Sequence, residues 1–127
     1  MTYYQQQLLR IRREHFHPEY LYKQVAQAKY YMDQHFAEDI GIDRLAATAC
    51  FSKFHFIRMF RAAYGITPNQ YLISVRIAQA KQLLKSNKTI VEVCHAVGFT
   101  SLSSFSGLFR KITGTTPAAY RCRCTSV

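Results

Sequence analysis

At 127 residues, with 49% hydrophobic side chains, the chain can bury a core as one ordinary domain or two small subdomains, which excludes a disordered tail. Its formal net charge of +10 is lopsided: from Arg44 onward twelve Lys and Arg face the single acid Glu92, a net of +11, while five basic and six acidic residues before Arg44 leave −1. A folded segment that basic attracts a polyanion, because neutralised phosphates release condensed counterions, so nucleic acid and an anionic membrane surface are the two obvious partners; a basic surface also serves solubility alone.

No apolar run approaches the roughly 18 residues that span a bilayer, and Met1 to Gln7 lack the charged start and apolar middle of a signal peptide, so a cytoplasmic location is expected. In chain order, residues 1–18 are the least regular. With Gln5 to Gln7 and Arg10, Arg12 and Arg13, they read as an N-terminal extension: a frayed helix, a dimer contact or a linker to a further domain. Glu19 to about Ala37 reads as an amphipathic helix with Val25, Ala28, Met32 and Phe36 on one face. A short helix from about Ile42 to Ala49 comes next. Ser52 then caps a helix that turns Phe56, Met59, Phe60 and Ala63 inward and stops at Gly65. Thr67-Pro68 opens a helix running to Lys85, with Tyr71, Leu72, Val75, Ala78, Ala80, Leu83 and Leu84 at helical spacing, which links the helices on its N-terminal side to those on its C-terminal side.

Thr89-Ile-Val-Glu92 is a capping box for a short helix from about Ile90 to Val97. Gly98 can turn the chain with positive φ, and Ser101 can cap the next helix, on which Phe105, Leu108, Phe109 and Ile112 form an apolar stripe. Gly114 closes it and Thr116-Pro117 starts another, before a tail at 122–127. Nothing alternates like a strand. The fold class expected is all-α, with about seven helices.

The chain also repeats itself. Phe56, Phe60, Arg61, Gly65, Thr67, Pro68 and Tyr71 recur as Phe105, Phe109, Arg110, Gly114, Thr116, Pro117 and Tyr120, at an offset of 49. Upstream the offset is 48, pairing Leu45-Ala46 with Val93-Cys94 and Phe51 with Phe99, so the second copy has one more residue in its turn. Helix, tight turn, helix therefore occurs twice, over about 42–64 and about 90–113. Cys50 stands opposite Gly98 in the first turn, where a non-glycine residue is tolerated if that turn avoids positive φ.

From about Tyr22 to Arg121 the sequence resembles the DNA-binding domain of the AraC/XylS family of transcription activators. The second copy carries the likeness most sharply: Ile90 to Phe99, then Phe105, Phe109-Arg110-Lys111, Gly114, Thr116-Pro117 and Tyr120-Arg121 match the family signature in order and spacing. The resemblance implies a domain over 19–121, with two helix-turn-helix subdomains joined by the central helix at about 68–85. It also implies one recognition helix per subdomain in successive major grooves of double-stranded DNA, and contact with RNA polymerase.

On that reading the first recognition helix is Lys53 to Tyr64, which leaves Phe54, His55, Ile57, Arg58 and Arg61 outward. Arg58 is the best single candidate for base readout, since a guanidinium grips guanine O6 and N7 with two hydrogen bonds. Phe54 and Ile57 can contact thymine methyls or pack on a neighbouring helix, and His55 reads as a capping or packing residue. The second recognition helix is Leu102 to Thr113, with Leu102, Ser103, Ser104, Ser106, Gly107 and Arg110 on its free face. Leu102, Ser103 and Ser106 are its base-reading candidates. Here the chain departs from the family, since Gly107 stands where a long reader such as Arg is expected.

Phosphates fall to Lys53, Arg61, Ser101, Arg110 and Lys111, with helix starts at Ser52, Ser101, Thr67 and Thr116. Arg76, Lys81, Lys85 and Lys88 serve the same end or form a solvated helix face.

No catalytic residue, cofactor or metal is expected. There is no phosphate-cradling Gly-rich loop or nucleophile elbow, and after Asp43 the lone carboxylate is Glu92, already explained as a cap. Cys50, Cys94, Cys122 and Cys124 lack the paired spacing of a zinc site and read as reduced thiols, a sensing pair at Cys122 and Cys124 being the alternative. Some DNA alkyl-damage repair proteins carry a similar domain beside a zinc-bound cysteine, but these cysteines lie elsewhere. An architectural DNA-binding module is the other rival. Two inequivalent units on one chain predict binding as a monomer in this form, a dimer being the alternative if a longer parent has an N-terminal domain.

Overall fold

The computed structural model describes residues 2–3, 5–6 and 18–125; apart from five residues, the expectation for the N-terminal extension over 1–18 lies outside them. From Pro18 onward these form seven helices: α1 (Pro18–His35), α2 (Ile42–Thr48), α3 (Lys53–Tyr64), α4 (Pro68–Leu83), α5 (Ile90–Ala96), α6 (Leu102–Thr113) and α7 (Pro117–Thr125). No strand occurs among the described residues, as expected for an all-α chain. The starts fall where the caps put them. Ser52, Thr89 and Ser101 each accept a hydrogen bond from the backbone N–H three residues on, at 3.1–3.3 Å, which satisfies one of the donors that a helix start leaves open. Gly65 and Gly114, both left-handed, end α3 and α6, each donating its N–H to the carbonyl four residues back at 2.8 Å. The last helix runs on through Cys122 and Cys124 to Thr125, so most of the residues expected as a tail are helical.

The described residues group into two compact units, one within Met1–Tyr31 and Gly41–Pro68, the other within Met32–Ile40 and Asn69–Val127. In the first, α1 buries Leu21, Val25 and Ala28, spaced four and three apart along one face, and α2, packed on α3, buries Leu45 and Ala46. Phe56 and Phe60 of α3 are fully buried, with ring centroids 5.9 Å apart, and Phe60 meets Tyr64 at 4.8 Å. Burying each such ring stabilises the unit by about 2 to 3 kcal/mol relative to exposure.

The turn between α2 and α3 differs from expectation. Cys50 adopts φ 61°, in the left-handed region, rather than avoiding positive φ. The N–H groups of Cys50 and Phe51 close this turn onto the carbonyls of Ala47 and Ala46, at 3.0 and 2.9 Å, which holds the residue there against the clash of its own Cβ. Because Cys50 is exposed, the side chain gains little packing in return. Cys50→Gly is therefore expected to stabilise the protein by about 1 kcal/mol, as strain is relieved against the added freedom of a glycine in the unfolded chain. Urea midpoints of variant and parent check this, and a lower midpoint for the variant would show that the thiol contributes more than the strain costs.

The second unit is built on Ile77, Ala80 and Leu84 of α4 and its end, Val93, Cys94, Val97 and Phe99 around α5, and Phe105 and Phe109 of α6, with Phe36, Ile73, Leu83, Ile90, Leu108 and Tyr120 packed at its margin. Two details depart from the expected faces. On α4 the buried side runs through Ile77 rather than Ala78, which is exposed, because this helix is apolar on several sides and its spacing fits more than one face. On α6 Ile112 is 48% exposed, so the inward stripe is Phe105, Leu108 and Phe109 alone.

Polar bonds tie segments of this unit that are far apart in sequence. Arg76 donates from Nε to the Phe36 carbonyl at 2.8 Å and from a terminal nitrogen to the Glu38 carbonyl at 2.9 Å, with its guanidinium 5.5 Å from the Phe99 ring centroid. Burial lowers its pKa, opposed by Asp39. Tyr71 donates to Asp33 Oδ1 at 2.5 Å. Arg121 reaches from α7 to the carbonyls of Leu84, at 2.9 Å, and Lys88, securing the end of α4 and the loop after it. Gly98, at φ 101°, lies against Arg76 and the segment it holds, and a Cβ there would stand 2.9 Å from the Phe36 carbonyl oxygen.

Candidate nucleic-acid interface

In the first unit the candidate surface arises from how α3 is anchored. With Phe56 and Phe60 committed to the core, the opposite side of the helix presents Lys53, Phe54, Arg58 and Arg61 to solvent. Phe54 is 74% exposed, which removes the reading that it packs on a neighbouring helix. Ile57 is half-buried, shared between solvent and the protein. His55 is half-buried too, its ring centroid 4.9 Å from that of Phe51 and its N–H bonded to the Ser52 cap, in keeping with a packing residue. Among the described residues no hydrogen bond or ion pair engages the side chains of Lys53, Arg58 or Arg61.

The second unit repeats the frame with different side chains. Phe105 and Phe109 hold α6 by its inner face, and Leu102, Ser103, Ser104, Gly107, Arg110 and Lys111 are exposed, with Ser106 half-buried. Leu102 is 43% exposed. The Ser101 hydroxyl accepts the Ser104 N–H at 3.3 Å and shares a 2.9 Å hydrogen bond with the Ser103 hydroxyl, so both are already partnered. Around Gly107 a Cβ would meet nothing within 4 Å; packing does not require glycine there. Arg110 and Lys111 are exposed, with no described partner for either side chain.

The remaining cations divide. Arg76 and Arg121 are engaged with carbonyls inside the second unit and are not part of a free basic face, a role that their place in the sequence does not disclose. Lys85 and Lys88 are exposed and Lys81 half-buried. Among the described residues no three His, Cys, Asp or Glu gather to hold a metal, and no helix is long and apolar enough to cross a membrane. None of the four cysteines is in a disulfide; Cys94 is buried, which raises its pKa, and its thiol lies 3.8 Å from the Phe99 carbonyl.

Comparison with known proteins gives these surfaces a context. A family model described as a helix-turn-helix domain matches residues 45–123. The MmsAB operon regulatory protein of Pseudomonas aeruginosa is 40% identical over 94 residues, 73% of this chain and 31% of that protein. Among solved structures, the DNA-binding domain of AdpA, a global transcriptional factor in complex with a target DNA, is similar with a TM-score of 0.75 at 37% identity, covering 78% of this chain and 90% of that one. An AraC-type transcriptional regulator from Chromobacterium violaceum is similar with a TM-score of 0.74 at 28% identity, covering 82% and 94%. The chain spans between 31% and 44% of the length of the first curated relatives it matches. With a family model over more than half its length, the signature from Ile90 to Arg121 and two helix-turn-helix units in place, the chain belongs to the AraC/XylS family of helix-turn-helix transcription regulators.

Proposed function

We propose that this chain is the DNA-binding part of a sequence-specific transcription regulator, placing α3 and α6 in successive major grooves of double-stranded DNA. The observation that carries the reading is the exposed cationic face of α3, where Lys53, Arg58 and Arg61 stand with no acid on the helix and no partner among the described residues while the aromatic face is locked in the core. Such cations cannot be accounted for as ion pairs within the fold, and a guanidinium at mid-helix is placed to reach base edges while residues nearer the ends meet phosphates. Arg58, with Phe54 and Ile57, is the base-reading set on α3; Lys53 and Arg61 bind phosphate. On α6, Leu102, Ser103 and Ser106 face the bases, and Ser101, Arg110 and Lys111 the backbone.

The regulator works in the cytoplasm, and activation through contact with RNA polymerase is the mode its family suggests. Selection of bound sequences from a random duplex library, and then sedimentation of the complex, tests the reading. The expected result is one asymmetric site with two half-sites about 10 base pairs apart, bound at least about 10³-fold more tightly than random duplex by one chain. An obligatory two-to-one complex on a palindrome would rule out the monomeric mode. Binding without sequence preference would favour an architectural module.

A further inference from the structure

Because α3 and α6 have the same length, the same serine cap and the same glycine stop, offset throughout by 49 residues, each position of one helix has a counterpart on the other. The chain thus carries its own comparison. Of the proposed phosphate positions Arg61 is kept, answering to Arg110, both exposed, while Lys53 answers to Leu102 and Ala62 to Lys111. None of the reading positions of α3 is kept: Phe54 answers to Ser103, Ile57 to Ser106 and Arg58 to Gly107. Each change shortens the side chain. Ser103 is already bonded to Ser101, and Gly107 has no side chain although the space about it is open. A glycine at an exposed mid-helix position sacrifices helix propensity relative to alanine, and no packing contact among the described residues accounts for it.

We propose, resting on the DNA-binding reading above, that discrimination by this chain is one-sided: Arg58 and Phe54 of α3 determine the preferred bases, while α6 contributes affinity through Arg110 and Lys111 that is nearly independent of sequence. Physically, discrimination needs directed hydrogen bonds or apolar contacts to base edges, and an Arg beside an exposed aromatic ring supplies both, to guanine and to a thymine methyl. A helix with serines and a glycine at those positions lacks the reach, and its exposed Leu102, which answers to Lys53, offers an apolar contact but no hydrogen bond. Its cations meet phosphates, which every sequence presents alike.

The test is a base-by-base substitution scan of the selected site with the parent chain and with Arg58→Ala, Gly107→Arg and Arg110→Ala. All three positions are exposed, and helical content by circular dichroism verifies folding. The parent should discriminate steeply in one half-site and by no more than a few-fold in the other. Arg58→Ala should weaken binding to the preferred site roughly 10- to 100-fold and flatten one or two positions within the discriminating half. Gly107→Arg should create new preference in the other half, since it supplies reach where space is available, and Arg110→Ala should weaken all sequences alike. Equal discrimination in both half-sites by the parent, or an unchanged profile for Arg58→Ala, overturns the one-sided assignment and leaves DNA binding standing. A parent chain that selects no sequence overturns the reading itself and the inference with it.

Discussion

Replacing Gly98 with alanine is expected to destabilise the second unit by about 2 to 5 kcal/mol, from a left-handed penalty of about 1 to 2 kcal/mol and overpacking of about 1 to 3 kcal/mol. At φ 101° the residue occupies backbone space that side chains avoid, and the added Cβ would meet the Phe36 carbonyl oxygen at 2.9 Å, Arg76 Nε at 3.0 Å and the Ala37 Cα at 3.1 Å. Two of these three are backbone atoms. The third cannot swing aside cheaply, because that same Nε donates to the Phe36 carbonyl and the guanidinium lies over Phe99. Relief therefore requires the turn between α5 and α6, or the segment after α1, to move as a whole. Gly107→Ala is the control, since its Cβ meets nothing and alanine favours the helix, so it should be neutral or more stable by up to about 1 kcal/mol. Urea unfolding of the two variants beside the parent separates them. A Gly98→Ala midpoint equal to that of the parent would mean that the turn yields more freely than its close contacts indicate.

Salt should have the other large effect, on binding rather than on folding. Lys53, Arg58, Arg61, Arg110 and Lys111 are exposed cations on α3 and α6, and helix starts at Ser52 and Ser101 add backbone N–H donors. With about six phosphates neutralised, log K against log salt should slope near −5, so that affinity falls about 10³-fold between 50 and 200 mM. Removing Arg110 should make the slope shallower by about 1. The structure narrows which residues take part, because Arg76 and Arg121 are used inside the second unit to satisfy carbonyls. Titration of a labelled site across that range measures the slope. A value shallower than about −2 would show that the concentrated charge is not directed at DNA.

Much of this protein was legible before any coordinate, because its local signals agree with one another. Serine or threonine caps, glycine stops and Pro at a first helical position mark most helix boundaries, and each depends on hydrogen bonds within a few residues, so no distant contact needs to be known. The repeat did the same for architecture: Phe56 and Phe60 recur as Phe105 and Phe109, and all four are fully buried. The faces of α3 and α6 are a consequence of that burial, since a helix anchored on one side must present the other. Exposure of Arg58, Arg61 and Arg110 could thus be expected from period alone, whereas that of Phe54, open in the sequence between a base contact and packing on a neighbouring helix, was decided by the fold.

Other features were decided only by tertiary structure, and each involves partners far apart in the chain or a backbone held by its surroundings. The carbonyls that Arg76 satisfies lie 38 and 40 residues away and those of Arg121 lie 33 and 37 away, so nothing near either residue distinguishes a brace from a solvated basic face. The buried side of α4 passes through Ile77 because of the side chains that pack there, where the helix's own apolar spacing allowed several choices. Cys50 takes φ 61° against its intrinsic preference because the backbone closing the first turn holds it there. Gly98, legible as a turn residue, is needed twice over, for its φ and for the closeness of Phe36 and Arg76. Local sequence determines the bonds a segment can make within itself, whereas only the packed fold selects among equally good long-range partners.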